Sequence, residues 1–250
     1  MNQASAEPRR ERVLPSGQTA HRQITSFRAR RGAITATQQQ AWDRTWPQIG
    51  RDVRASGQQP EELTRLDLDD WFGRQAAAVL EIGCGTGTAT AAMALAEPDL
   101  NLIGVEVYKP GLAQLVQAVE REGIANIRLL RGDAVEVLEY LVGPESLLGV
   151  RVFFPDPWPK SRHHKRRLLQ PATVALIADR LAPGGVLHAA TDHAGYAEWI
   201  AQVGAAEPRL RPIAPGAAPI SCDRPVTKFE SKAQRAGSPV NEFVWGKIEV

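Results

Sequence analysis

"AAVLEIGCGTGTATAAMALA", residues 77–96, passes from a Val, Ile and Leu run through three alternating glycines into an alanine-rich stretch. The first part, 77–83, reads as a buried strand, and 88–96 reads as a helix with the glycines turning the chain between them. Glycine alone reaches positive φ without strain and brings no Cβ, so Gly83, Gly85 and Gly87 permit a tight turn and a close approach to a ligand. The same alternation continues outward. Apolar runs at 100–107, 126–132, 148–154 and 184–191 alternate with helical patterns at 108–123, 133–142, 168–181 and 193–202. Alternation of this kind predicts an α/β fold, a parallel sheet covered by helices on both faces.

The chain has 250 residues, 43% of them apolar, and a formal net charge of +2. That length suits one sizeable domain, assigned here to 35–250. Ahead of it, residues 1–31 carry seven arginines against two glutamates with no apolar periodicity. This predicts a basic, disordered arm over 1–34. A helical adaptor over 35–52, interrupted at Pro47, joins the arm to the body. The chain has two cysteines and shows neither a long apolar segment nor a signal-peptide pattern, which predicts a reduced, soluble, cytoplasmic protein.

In a doubly wound sheet, ligands sit beyond the C-terminal ends of the strands. Glu81 stands at the first strand's end, just before the glycines. A dinucleotide site reads G-x-G-x-x-G and turns a helix N-terminus toward a pyrophosphate; here the spacing is G-x-G-x-G, and the carboxylate would repel phosphate. Glu106, about 20 residues beyond the glycines, ends the second strand, where a carboxylate can accept from a ribose diol. Asp133 ends the third, in reach of an adenine amine. Either acid alone reads equally as a helix cap or a solvated charge. Together they match an adenosine that carries an amino acid and a sulfonium cation, S-adenosyl-L-methionine.

The fourth strand runs into "FFPDPWPKSRHHKRR", residues 153–167. Prolines fix φ near −65° and lower the entropy cost of ordering a loop, so this turn can hold Asp156 and Trp158 in a defined arrangement. Lys160, Arg162, His163, His164, Lys165, Arg166 and Arg167 follow, with no acidic residue before Asp179. A cluster of one sign beside a methyl-donor pocket is the footprint of a polyanion, with arginine forks suited to phosphate oxygens.

The proline and basic motif, with "EIGCGTG" upstream, "ATDHAGYAEW" at 190–199 and "RPVTKFESK" at 224–232, resembles the bacterial tRNA (guanine-N7-)-methyltransferase family from about Ser26 to the C-terminus. The resemblance implies a Rossmann-like class I methyltransferase fold with a mostly parallel seven-stranded sheet. It also implies methylation of a variable-loop guanine of tRNA, guanosine 46, from S-adenosyl-L-methionine. Residue by residue it implies that Glu81, Glu106, Asp133 and Asp156 contact the cofactor with the glycine loop, and that Asp156 is the catalytic carboxylate. Lys160, Asp192, Thr227, Lys228, Phe229 and Glu230 would bind the substrate, and residues 162–167 the RNA backbone. The stretch "SKAQRAGS" departs from the family at Lys232, Ala233 and Ser238, where its members commonly show an Arg-Gly pair and a later His.

Guanine N7 has an in-plane lone pair and no proton to remove, so rate should come from alignment, worth up to about 7–11 kcal/mol in favourable cases. Asp156 is therefore read as stabilising charge on the purine rather than abstracting a proton. Asp192 stays open between capping the helix 193–202 and touching substrate, and Phe229 between core and base stacking. His163 and His164 have no Cys or carboxylate at metal spacing, so no metal is expected. Two other classes fit the fold: a small-molecule methyltransferase, which leaves the basic run without a purpose, and a noncatalytic RNA binder, which gains nothing from four acids in its cleft. The sequence leaves the choice between monomer and homodimer open.

Overall fold

The computed structural model describes residues 32–225 and 239–248. The arm expected over 1–34 falls outside these apart from Gly32, Ala33 and Ile34, and so do Thr227, Lys228, Phe229 and Glu230 with Lys232, Ala233 and Ser238.

Helix α1 (Ala36–Ile49) opens on a reciprocal cap: the Thr35 hydroxyl accepts from Gln38 N (3.2 Å) and the Gln38 side chain accepts from Thr35 N (3.0 Å). The helix continues through Pro47 rather than stopping there, and the chain becomes strand β1 (Gly50–Asp52) where helix was expected. Side-chain contacts outweigh the proline: within the helix Trp42 stacks on Trp46 one turn later with ring centroids 4.0 Å apart, and the ammonium of Lys109, which opens a later helix, lies 4.8 Å from the Trp42 ring.

After α2 (Leu68–Phe72) the alternation read from sequence follows. In order come β2 (Ala78–Ile82), α3 (Thr88–Ala96), β3 (Asn101–Glu106), α4 (Lys109–Glu122), β4 (Ile127–Arg131), α5 (Ala134–Glu136) running into a π-turn at 137–141, and β5 (Leu147–Phe153). Then α6 (Pro171–Arg180), β6 (Leu181–Thr191), α7 (Ala194–Ala206), β7 (Leu210–Pro212) and β8 (Asn241–Lys247) complete it. Helix α6 starts three residues later than its apolar pattern, because Pro171 suits only the first turn.

The strands form one sheet in the order β1-β4-β3-β2-β5-β6-β8-β7, and β8 is antiparallel to both neighbours. Seven of them make the doubly wound sheet. The eighth is β1, which adds to the edge of β4 in parallel (Arg51 opposite Leu130) and is locked there by the Asp52–Arg131 ion pair at 2.7 Å. Alternation on the central strands divides two cores. Leu80, Val150 and Leu187 join Val137, Leu138, Ile177 and Tyr196 on one face, while Leu102, Leu112, Leu115 and Leu129 pack with α1, α3 and α4 on the other. Full burial of each such side chain contributes about 1.5–3 kcal/mol, so these strands are a rigid base for what lies at their ends.

Candidate active site

The strand order reverses direction between β2 and β5, and the loops that follow β2, β3, β4, β5 and β6 all emerge at one edge of the sheet. Those loops carry the glycines, Asp133, Asp156 and Asp192, with Glu106 the last residue of β3 and Glu81 one residue from the end of β2.

Gly83, Gly85 and Gly87 have φ of +77°, +58° and +73°. A Cβ on Gly83 would meet no atom within 4 Å and one on Gly85 only the Gly83 carbonyl at 3.9 Å, so the loop faces open space there. Gly87 differs: its Cβ would lie 2.4 Å from the Leu115 side chain, so this glycine lets α3 approach α4. Gly111, in the first turn of α4, does the same from the other side, since a Cβ there would stand 2.4 Å from the Gly85 carbonyl. Gly111 escaped the sequence reading, although its signal, a glycine at the start of a helix, was visible.

Glu106 Oε2 accepts from Gly85 N (2.9 Å), and its Oε1 accepts from Val107 N (2.7 Å) and Tyr108 N (2.9 Å). The carboxylate thus shapes the glycine loop, and of its roughly four lone-pair sites three are taken. Asp133 is buried, and its Oδ1 caps α5 by accepting from Val135 N at 2.9 Å. Capping and ligand contact are compatible here, because the cap occupies one oxygen.

Glu81 is 4% exposed and its Oε2 has no hydrogen-bond partner. Burial pushes its carboxyl above the ordinary glutamate range, and Thr90 and the Arg151 charge work against that rise. Arg151 stands beside Glu81 in register and is fully buried. Its Nη2 donates to both Glu97 carboxylate oxygens (2.8 and 2.7 Å) and to the Ser221 carbonyl (3.0 Å), while Nε and Nη1 have no partner. A buried carboxylate with an orphaned oxygen beside an open, Cβ-free loop fits a cationic, amine-bearing ligand such as the amino-acid end of S-adenosylmethionine.

The substrate side is built differently. Phe154 and Trp158 hold φ of +49° and +45° although neither is glycine. Phe154 N donates to the Ala190 carbonyl (2.8 Å), which ties the end of β5 to β6. Trp158 is buried, with the Arg166 guanidinium carbon 5.0 Å from its ring centroid and the His163 ring edge-on at 5.8 Å. The basic run forms a 3₁₀ turn at Ser161–Arg166 in which Arg162, Lys165 and Arg166 are exposed, as is Lys160 before it. His163 and His164 are half-buried, and Arg167 is only 3% exposed and points inward.

The cap of α7 is His193, whose Nδ1 accepts from Tyr196 N at 3.2 Å. This corrects the capping alternative for Asp192, which is exposed at the end of β6. Tyr196 is buried and accepts from Leu169 N (3.2 Å). Burial pushes its hydroxyl up to about 12, and the nearby Asp156 charge adds to the rise. Arg224, also overlooked in the sequence, places its guanidinium 5.0 Å from the Phe154 ring and pairs with Glu242 at 3.1 Å. Among the described residues no group of three or more His, Cys, Asp or Glu side chains is placed to hold a metal ion, and no helix is long and apolar enough to cross a membrane.

The sheet order and the carboxylates at its strand ends define a class I methyltransferase. The family described as "Putative methyltransferase" matches residues 75–243. The chain is 67% identical to a tRNA (guanine-N(7)-)-methyltransferase of Nocardia farcinica, over 98% of this chain and 92% of that one. It is 62% identical to the protein of the same name from Rhodococcus jostii, over 93% and 86%. The chain belongs to the tRNA (guanine-N(7)-)-methyltransferase family. Among solved structures, the 16S rRNA methyltransferase KamB shares the fold at a TM-score of 0.52 and 15% identity, covering 75% of this chain and 95% of that one.

Proposed function

We propose that the protein methylates N7 of a guanine in the variable loop of cytoplasmic tRNA, guanosine 46, with S-adenosyl-L-methionine as donor. The observation that carries this reading is the pairing of two half-sites across the strand-order reversal. On one side is a buried Glu81 with one carboxylate oxygen unpartnered, beside an open glycine loop; on the other is a proline-braced acidic turn leading into an exposed basic one.

When bound, S-adenosylmethionine supplies a methyl group on a sulfonium centre. Glu81 receives the ammonium of its amino-acid end, Glu106 offers a remaining lone pair to the ribose diol, and Asp133 accepts from the adenine amine. Asp156 and Asp192 face the guanine edge and stabilise the positive charge that develops on the purine. Neither has a proton to remove at N7. Lys160, Arg162, Lys165 and Arg166 neutralise tRNA phosphates, a sequence-independent contact that falls with salt. Thr227, Lys228, Phe229 and Glu230, which lie outside the described residues, are assigned to guanine binding by the resemblance alone.

The test is transfer from labelled S-adenosylmethionine to an unmodified tRNA transcript, with nucleoside mass spectrometry and mapping of the product. The expected result is 7-methylguanosine in the variable loop, lost when that guanine is replaced. A folded, cofactor-binding protein that modifies no tRNA would overturn the reading.

A further inference from the structure

The seven basic and imidazole side chains of 160–167 look interchangeable in the sequence, but the structure separates one of them. A cation that meets RNA phosphate needs solvent access; Arg162, Lys165 and Arg166 have it, and Arg167 does not. Three of its nitrogens contact three separate segments. Nε donates to the Pro157 carbonyl (3.0 Å), Nη1 to the Gly195 carbonyl in the first turn of α7 (3.1 Å), and Nη2 lies 3.1 Å from His164 Nε2, which accepts in the tautomer that carries its proton on Nδ1. Its guanidinium carbon also lies 4.8 Å from the Tyr196 ring centroid.

These partners coincide with the parts of the site that most need support. The Pro157 carbonyl belongs to the peptide plane that precedes Trp158, a residue held at φ +45°, so fixing that plane helps set the strained rotation. Asp156 is the residue before Pro157, and its charge reaches Tyr196. Gly195 lies three residues beyond Asp192. We propose that Arg167 is a positioning residue: its planar fork ties the Asp156 turn to the start of α7, and so fixes Asp156 and Asp192 relative to each other. The assignment rests on the roles proposed above for those two aspartates. Lysine would keep the charge but lacks the rigid fork that serves three acceptors at once.

The experiment compares R167K and R167Q with R162Q and K165Q. For each we would measure kcat at saturating tRNA and cofactor, tRNA affinity across a salt series, cofactor affinity by calorimetry, and folding by circular dichroism. Misplacement by about 1 Å can cost about 100-fold, so both Arg167 variants should lose about that factor in kcat while the salt slope of tRNA binding stays at the wild-type value. R162Q and K165Q, at cations proposed to meet phosphate, should each lower that slope by about one unit. A wild-type kcat in R167K and R167Q, or a salt slope in R167Q reduced as in R162Q with kcat restored by lysine, would overturn the proposal. Should R167Q fail to fold, R167K alone decides, since a full kcat in it overturns the fork. A wild type that modifies no tRNA would overturn the proposed function and this assignment with it; an active wild type with indifferent Arg167 variants would overturn the assignment alone.

Discussion

The loop after β2 and the loop after β5 both leave the sheet at sharp angles, yet they solve the same backbone problem by opposite means. The first uses glycine at every positive φ, so its shape costs little strain and is encoded within five residues. The second places Phe154 and Trp158 at positive φ, where each costs about 1–3 kcal/mol, and the surroundings must hold them there. Those surroundings are the Phe154–Ala190 backbone bond, the burial of Trp158 under Arg166, and the Arg167 bond to Pro157. A cofactor cradle can therefore be locally specified and portable among methyltransferases. The acceptor side of this chain is instead specified by tertiary contacts.

Substitutions on the two sides should therefore fail in different measurements. The largest effect is expected at Asp156. Asp156→Asn keeps the shape and removes the charge, and loss of one such preorganised electrostatic contact typically costs about 10²–10³ in kcat. Methyl transfer at saturating cofactor and tRNA should fall by that factor while the urea midpoint stays close to wild type. A drop confined to KM would show that the carboxylate binds and does not stabilise developing charge.

Within the glycine loop the prediction is about stability, and it separates two glycines that look alike in the sequence. Gly87→Ala adds both positive-φ strain and a clash with Leu115, together about 2–5 kcal/mol by urea denaturation. Gly83→Ala meets open space and should cost only about 1–2 kcal/mol of strain, while its effect on cofactor affinity is the greater of the two. Equal losses at both positions would erase the distinction between a packing glycine and a cradle glycine.

How much of this was legible beforehand follows the same division. The succession of strands β2 to β6 along the chain, the glycine turn and the acids at the strand ends could be read because each depends on local pattern. The eighth strand could not: Gly50–Asp52 is three residues long and lies where helix was expected, and it exists because β4 offered an edge and Arg131 a partner for Asp52. Arg167 was grouped with its basic neighbours because charge is visible in a sequence and direction is not. Sequence leaves Asp192 open between capping and substrate contact for a similar reason, since it does not show which of two adjacent residues the turn places at the cap, and the structure places His193 there. The same reading gave no sign that Arg151 would lie buried beside Glu81.

A smaller effect sharpens the cofactor side. Asp133→Ala removes the α5 cap, worth about 0.5–2 kcal/mol, together with the acceptor proposed for adenine. Asp133→Asn should retain the cap, because asparagine caps as well as aspartate, and still weaken cofactor binding by calorimetry. Unchanged affinity in the asparagine variant would reduce Asp133 to a structural role.

The last prediction concerns pH and Glu81. Burial raises its carboxyl above the ordinary value of 4.5, so the folded state prefers the protonated form. A raised folded value means that the stability the group contributes is complete below about pH 4.5 and declines as pH rises through the folded value. Without cofactor, the wild type should therefore lose urea stability relative to Glu81→Gln as pH increases above 4.5, and the two should converge below it. Binding of a cationic ligand reverses the preference, because an ammonium beside Glu81 favours the carboxylate and drives its proton off. Cofactor affinity of the wild type should then strengthen with pH across the same window, measured by calorimetry in buffers of different ionisation enthalpy, and that of Glu81→Gln should be weaker and lack this rise. Opposite slopes for empty and cofactor-bound protein are the signature of a carboxylate kept unsatisfied for its ligand; parallel slopes would mean that Arg151 already neutralises Glu81 and that the cofactor's ammonium binds elsewhere.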